Sequence, residues 1–381
     1  MLVLALLSVL IWLGLLFFRG GFWCADQRLG QAGTLADWPG VIAIIPARDE
    51  AETIGAVLEA HQRSAYPGDF SIILVDDGST DGTGAIARRI QGLRQVSVID
   101  APELEPGWTG KLWALQTGET AARDAAPGAR YVLLTDADIL HAPGTLTALV
   151  AKAEAERLGL VSLMAELDSR GIWGRLLIPA FVFFFQKLYP FALVNAPESK
   201  VAGAAGGCML LRREALEAIG GIQSIRGALI DDCTLGAKIK AAGHPVWLGL
   251  SAGEVRSMRD NRALGSIWTM VARTAFTQLG YSPWLLVGST LGMALVYLAG
   301  PVGLVQGLVQ GDAALVSTGA AAWALMAFAY APTVRLYGLM PVAALFLPVA
   351  AVFYMAMTLD SARRHWRGQG GAWKGRVYPT G

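Results

Sequence analysis

SIILVDDGSTDGTGAIARR, residues 71–89, passes from a short apolar run into two adjacent acids, a glycine turn and a helical pattern. Its apolar residues run on instead of alternating, as in a strand covered on both faces. Gly78 permits the turn, and Ser79 or Thr80 can cap a helix that begins near Asp81. A simple turn accounts for the glycine and the hydroxyls. It does not account for Asp76 and Asp77 together, where one acid would suffice. A carboxylate at such a strand end can accept hydrogen bonds from a ribose hydroxyl or a base N–H. The stretch is not G-x-G-x-x-G and carries no Gly-Lys-Ser/Thr, which disfavours a dinucleotide fold and a P-loop.

The same rhythm extends on either side. VIAII (41–45) and YVLL (131–134) read as strands and VSVI (96–99) as a weaker one, with helical patterns over 51–64, 81–91 and 111–123 between them. Apolar strands alternating with helices predict an α/β domain built on a mostly parallel sheet, Rossmann-like in its layering. Ligands of such sheets sit beyond the carboxyl ends of the strands, where PARDE, DDGSTDGT and TDAD fall. In TDAD, Asp136 and Asp138 are two residues apart, so an extended backbone points both carboxylates the same way. Paired oxygen donors at that position suit Mg2+ or Mn2+, which take few protein carboxylates and complete their shell with substrate phosphates. A chance acidic pair in a solvated turn is the plain alternative. The acids at the neighbouring strand end weigh against it, as does Lys111 in GWTGKLWAL (107–115) at a predicted helix start.

Composition places this domain at a membrane. The chain has 381 residues, only 16% of them charged, a net charge of +1 and a mean hydropathy of +0.45. Balanced charge argues against nucleic acid as the partner. Residues 2–18 are uncharged, with no cation before them and no small-residue cleavage site after them, which favours a retained anchor over a signal peptide. Long apolar stretches return at 284–309, 313–334 and 339–358 and read as a bundle of membrane helices. The expected organisation is an anchor at 1–20, a working domain at 40–275, a C-terminal transmembrane bundle at 282–360 and a basic tail at 361–381. Within the domain, 171–195 holds a ten-residue apolar run between Arg175 and Lys187, suited to an interfacial segment with aromatic anchors. Cys24, Cys208 and Cys233 form no CxxC pair and the four histidines show no metal-finger spacing, so zinc and a disulfide framework are not expected.

PARDEAETI, VDDGSTDGT, GWTGK, TDAD and LIDDCTLGAKIKAAG resemble, in that order, the signature segments of family 2 glycosyltransferases with a GT-A fold. GGCMLLRREALEAIGGI (206–222) and WKGRVYP (373–379) are similar to a membrane subgroup, and GWTGKLWALQTG and RTAFTQLGYSP to its hopene-associated branch. The resemblance implies that Asp77, helped by Glu50, contacts the uridine of a nucleotide sugar. It places Asp136 by the ribose or diphosphate, Asp138 as principal metal ligand and Asp232 at the catalytic-base position, with Asp231 where the family usually has Glu. The family's Gln/Arg-x-x-Arg-Trp segment has its nearest match at MVART (270–274). Arg273 remains, while Met270 and Thr274 replace its partners, which argues against polymer synthesis.

The expected activity is therefore an inverting transfer from a nucleotide sugar, UDP-linked, to a lipid acceptor, hopanoid or related polyprenoid. Asp232 would take the acceptor's proton, and Lys111, Arg273 and the divalent cation would neutralise the leaving diphosphate. The expected location is the inner, cytoplasmic membrane, crossed several times, with the catalytic domain in the cytosol. The alternatives are a polyprenyl-phosphate sugar transferase and an idle nucleotide-binding scaffold for lipid synthesis. Intact acids at every site weigh against the scaffold. Three spanning helices after the domain would put the basic tail outside, against the positive-inside tendency, unless one of them is re-entrant.

Overall fold

The computed structural model describes residues 1–30 and 33–369; the WKGRVYP motif and most of the expected basic tail lie outside the described residues. After helix α1 (Leu2–Phe18), the chain builds β1 (Val41–Ala47), α2 (Ile54–Gln62), β2 (Phe70–Asp76), α3 (Thr83–Arg89), β3 (Gln95–Asp100) and α4 (Gly110–Ala125). Next come β4 (Tyr131–Thr135), β5 (Ile139–His141), α5 (Thr145–Ala155), β6 (Leu160–Met164), α6 (Gly171–Leu188) and α7 (Phe191–Asn195). The domain continues with β7 (Cys208–Arg212), α8 (Arg213–Ala218), α9 (Asp231–Ala241), β8 (Val246–Leu250), β9 (Val255–Ser257) and α10 (Leu264–Ala272). Every residue of β1 and β4 is buried, as continuous apolar strands with helices on both faces require.

Seven strands form one sheet in the order β3-β2-β1-β4-β7-β6-β8, and β5 pairs with β9 in a small ribbon. Strand β7 runs antiparallel to β4 and β6, while the other pairings are parallel, so the sheet is mostly parallel as expected. The capping of α3 differs from expectation. The helix starts at Thr83, and Asp81 accepts hydrogen bonds from the Thr83 backbone N–H and hydroxyl. Ser79 and Asp76 instead hold the turn, the Ser79 N–H donating to Asp76 Oδ1 at 2.9 Å.

The bundle follows as α11 (Pro283–Met293), a π-helical turn at Ala294–Leu298, α12 (Ala299–Gln310), α13 (Ala313–Leu336), a 3-10 segment at Pro341–Phe346 and α14 (Leu347–Trp366). Residues 361–366, expected in the tail, belong to α14 because Ser361 and Ala362 pack inward. The π turn frees the Val296 carbonyl, which accepts from Trp12 Nε1 and Ser8 Oγ and so ties α1 to the bundle. Helices α12 and α13 meet through glycines; a Cβ on Gly319 would lie 2.4 Å from the Leu304 nitrogen. By length and composition, Gly171–Leu188, Pro283–Gln310, Ala313–Leu336 and Pro341–Trp366 could each cross a membrane, and Leu2–Phe18 is a shorter apolar helix.

Helix α6 couples domain and bundle. The Trp173 ring contacts Phe353, and Phe184 contacts the neighbouring Tyr354, at centroid distances of 5.3 and 4.9 Å. Trp173 and Phe184 lie about 16 Å apart along α6, so α6 crosses α14 steeply. Arg19, just past α1, donates to the Lys187 and Leu188 carbonyls at the other end of α6.

Candidate active site

The carboxyl ends of β1 and β4, the starts of α4 and α9, the loop after β9 and helix α10 surround a cavity of about 280 Å3. Its polar side carries Glu50, Asp136, Asp138, Asp231 and Asp232 against Lys111, Arg259 and Arg273, five carboxylates to three cations. The other side is apolar, with Leu167, Phe181 and Phe185 of α6 and its approach, Met270 of α10 and Leu229. One cavity therefore joins a charged end to a greasy wall.

Lys111 stands in the first turn of α4, whose start is capped by Thr109. Its ammonium lies 3.0 Å from Asp136 Oδ1 and 3.1 Å from Asp231 Oδ2. Burial alone would lower its pKa, but Asp136, Asp231 and Asp232 outweigh that and hold it above the ordinary lysine value. Asp136 is raised by burial, with Lys111 opposing and Asp138 and Asp231 adding to the shift. Asp138 Oδ2 accepts from the Ser257 hydroxyl at 3.0 Å and from Arg259 Nε at 2.8 Å. Arg259 also lies 3.8 Å from Glu50, closing the β1 side of the site.

Asp232 sits in the first turn of α9. Its Oδ2 accepts the Gly206 N–H at 2.9 Å and its Oδ1 the Cys233 N–H at 2.7 Å. Gly206 permits this approach, since a Cβ there would lie 3.3 Å from both Asp232 Oδ2 and Lys111 Nζ. Burial, then the neighbouring Asp231, push the Asp232 carboxyl up to about 6, with Lys111 and the two N–H groups opposing. A carboxylate with that affinity for protons suits general-base work near neutrality.

Glu50, Lys111, Asp136, Asp138, Asp232 and Arg273 thus come together around one cavity, as the sequence predicts. Asp77 is not among its lining residues. It is buried at the end of β2, where the Arg48 guanidinium lies 3.7 Å from its Oδ2 and also donates to its backbone carbonyl. Sequence reasoning assigns no role to Arg259, Ser257 or Gly206: Ser257 ends the short strand β9, Arg259 follows it in a loop, and Gly206 opens the GGCMLLRREALEAIGGI segment without being singled out. Asp231, noted only as a family departure, proves to share Lys111 with Asp136.

The residues present fit a hard divalent cation. The cavity lining offers oxygen donors without Cys or His, and its carboxylates exceed its cations by two. Among the described residues Asp138 Oδ1 accepts no hydrogen bond, although the side chain is only 5% exposed. Among the described residues no three His, Cys, Asp or Glu side chains converge on a closed cage. An open pair of carboxylates matches a cation whose shell substrate phosphates complete.

Residues 42–220 match the model of the glycosyl transferase family 2. A 120-residue stretch is 31% identical to the dodecaprenyl-phosphate galacturonate synthase of Rhizobium johnstonii, covering 31% of this chain and 33% of that protein. A 218-residue stretch is 27% identical to the succinoglycan biosynthesis protein ExoA of Rhizobium meliloti, covering 54% of this chain and 60% of the relative. The chain thus spans between a third and three fifths of these relatives' lengths. Among solved structures, it superposes on the mannosyltransferase PcManGT from Pyrobaculum calidifontis, in complex with GDP-Man and Mn2+, with a TM-score of 0.51 at 20% identity. That match covers 96% of this chain and 98% of the other. The shared fold is GT-A.

Proposed function

Starting from the family 2 glycosyltransferase domain of GT-A fold that residues 42–220 form, we propose that the protein is a membrane-bound inverting transferase. It moves a sugar from a nucleotide sugar, UDP-linked, to a lipid acceptor of the hopanoid or polyprenoid kind. The observation that carries this reading is the two-sided cavity, with a carboxylate near pKa 6 at the polar side and aromatic and aliphatic side chains opposite. Asp232 takes the proton of the acceptor hydroxyl while the diphosphate departs from the opposite face of the sugar. Lys111 and Arg273 neutralise charge on the leaving diphosphate. Asp138, with Asp136, would hold Mg2+ or Mn2+, which supplies further charge neutralisation when bound. Glu50 and Asp77 serve the nucleoside. Asp77 does so from outside the cavity, at the β2 end of the same sheet edge.

In this reading α6 is the interfacial segment. Its steep crossing of α14 and its contacts with the end of α1 support a helix that lies along the membrane surface. The catalytic domain would then face the cytosol, where nucleotide sugars are made, beside the inner membrane.

One observation favours a second acceptor chemistry. Arg273 is exposed in the cavity beside Met270, and its guanidinium makes no ion pair among the described residues. A lipid phosphate would suit it, and a phosphate nucleophile needs no base. Lipid mass spectrometry of a deletion strain beside its parent tests both readings. Loss of a hexose or aminohexose from a hopanoid or related alcohol supports the first, and loss of a polyprenyl-phosphate sugar supports the second. An unchanged glycolipid profile would sink both.

A further inference from the structure

The stretch 341–366 is long and apolar enough to span, yet both of its ends lie on the side of the catalytic domain. Helix α13 ends there, with Leu336 and Tyr337 packed on the core of the sheet domain. From Gly338 the chain turns back along α13, and the Leu345 carbonyl accepts Trp323 Nε1 at 3.1 Å. Trp323 lies roughly 20 Å down α13 from Leu336, about the middle of a bilayer. Helix α14 then climbs back. Trp268 Nε1 of α10 donates to Asp360 Oδ2 at 2.8 Å, the Phe276 N–H donates to Ser361 Oγ at 3.0 Å, and His365 stacks on Tyr281 at 4.3 Å. These partners precede α11, so they belong to the domain side.

Membrane physics favours the same path. Non-helical backbone at bilayer depth must have its polar groups satisfied by protein, and the Trp323 indole does this for Leu345. Met340, Val342, Leu345 and Phe346 turn apolar side chains outward at the tip. The far turn, Gln310–Gly311–Asp312, holds no Lys or Arg, whereas Arg19, Arg335, Arg363, Arg364 and Arg367 all fall at domain-side helix ends.

We infer that residues 337–366 form a re-entrant hairpin, and that its basic end joins the starts of α6 and α10 in a rim that docks on anionic phospholipid headgroups. The rim is continuous. Arg170 and Arg262 share Asp168, Arg262 packs on Gly171 at the start of α6, and Arg363 and Arg364 hold Asp360 beside Trp268. Arg175 and Arg367 are exposed on it and make no ion pair among the described residues, which leaves them for lipid phosphates.

Cysteine labelling of the full chain in sealed vesicles of both orientations tests the path without any substrate. In a Cys24→Ser background, Gln369→Cys should react with a membrane-impermeant maleimide on the same face as Glu103→Cys. Asp312→Cys should react on the opposite face, and Phe346→Cys on neither. Labelling of Gln369→Cys together with Asp312→Cys would overturn the hairpin. For the rim, the full chain in nanodiscs should melt a few degrees higher with phosphatidylglycerol than with phosphatidylcholine alone. The Arg175→Gln/Arg367→Gln variant should lose most of that difference. An equal Tm in both lipids, or a difference that survives the double change, would overturn the partner.

Discussion

At Asp232 a single carboxylate answers two backbone N–H groups, Gly206 and Cys233, while its cavity side faces the place an acceptor would take. Asp232→Asn keeps one oxygen for those donors and loses the ability to accept a proton. Turnover should fall about 10²–10⁴-fold with donor affinity unchanged, while a phosphate acceptor would spare it. The wild-type rate should fall as pH drops through about 6, where the carboxyl takes up its proton, and a hydroxyl-acceptor reaction by the variant should lack that limb. The stability sign is opposite to that of a salt-bridged acid. A carboxyl raised in the fold contributes stability below its ordinary pKa and loses it as pH rises through about 6. At pH 7 the Asn variant is therefore spared that cost, which offsets its weakened hydrogen bond, and its Tm should stay within a few degrees of wild type. Near-normal turnover would make Asp232 a helix-start acid only and move attention to Asp231. Asp138→Ala should abolish transfer and weaken nucleotide-sugar binding in the presence of Mg2+ or Mn2+. Full activity of the wild type in excess EDTA would refute the cation assignment. Asp136, Asp138 and Lys111 were legible because each ends or begins a recognisable run. Arg259 was not, because it reaches Asp138 from 121 residues further along the chain, with no pattern to mark it.

Helix α9 carries the acid pair in its first turn and a second device at its other end. Lys240 Nζ donates to the carbonyls of Val194, Val201 and Ala196 at 2.6, 2.8 and 3.0 Å, and to that of Leu193 at 3.3 Å. It thereby closes the end of α7 and pins the segment that leads to Gly206. Lys240→Met keeps most of the stem but strands those carbonyls, so it should cost on the order of 1–3 kcal/mol of stability. Hydrogen exchange should rise across 193–206, and turnover should fall as the Gly206–Asp232 bond loosens. Unchanged exchange there would leave Lys240 without a structural role in that segment. The strand–helix alternation through β4 was legible because buried strands and amphipathic helices differ in period. The stretch 339–358 was legible only as apolar: a spanning helix and a re-entrant hairpin share that composition. What separates them is a backbone turn at Gly338 and an indole on α13, neither of which a hydropathy pattern contains.

Across the molecule, composition separates a polar domain from apolar helices, but it does not reveal that one apolar helix, α6, lines the cavity of the polar domain. That follows from α6, which leaves the sheet after β6, crosses the bundle and turns Phe181 and Phe185 toward the carboxylates. A donor held at the strand ends and an acceptor tail held by α6 and α10 would then be bound by opposite sides of one cavity, and a substitution on one side should spare the other. Phe181→Ser removes an aromatic face from the apolar wall while leaving the polar end untouched. Burying a Phe side chain contributes roughly 1.5–3 kcal/mol, so losing that contact should raise the KM for the lipid acceptor about 10–100-fold. The affinity for the nucleotide sugar, read by calorimetry without acceptor, should stay within about twofold, since the polar contacts that would hold it remain in place. Asp138→Ala, inactive in transfer, should show the reverse in binding: weaker affinity for the nucleotide sugar with the affinity for the lipid acceptor unchanged. If Phe181→Ser weakens donor and acceptor alike, α6 supports the fold of the site as a whole and the two-sided assignment fails. If it weakens neither, the acceptor reaches Asp232 by a route that avoids α6.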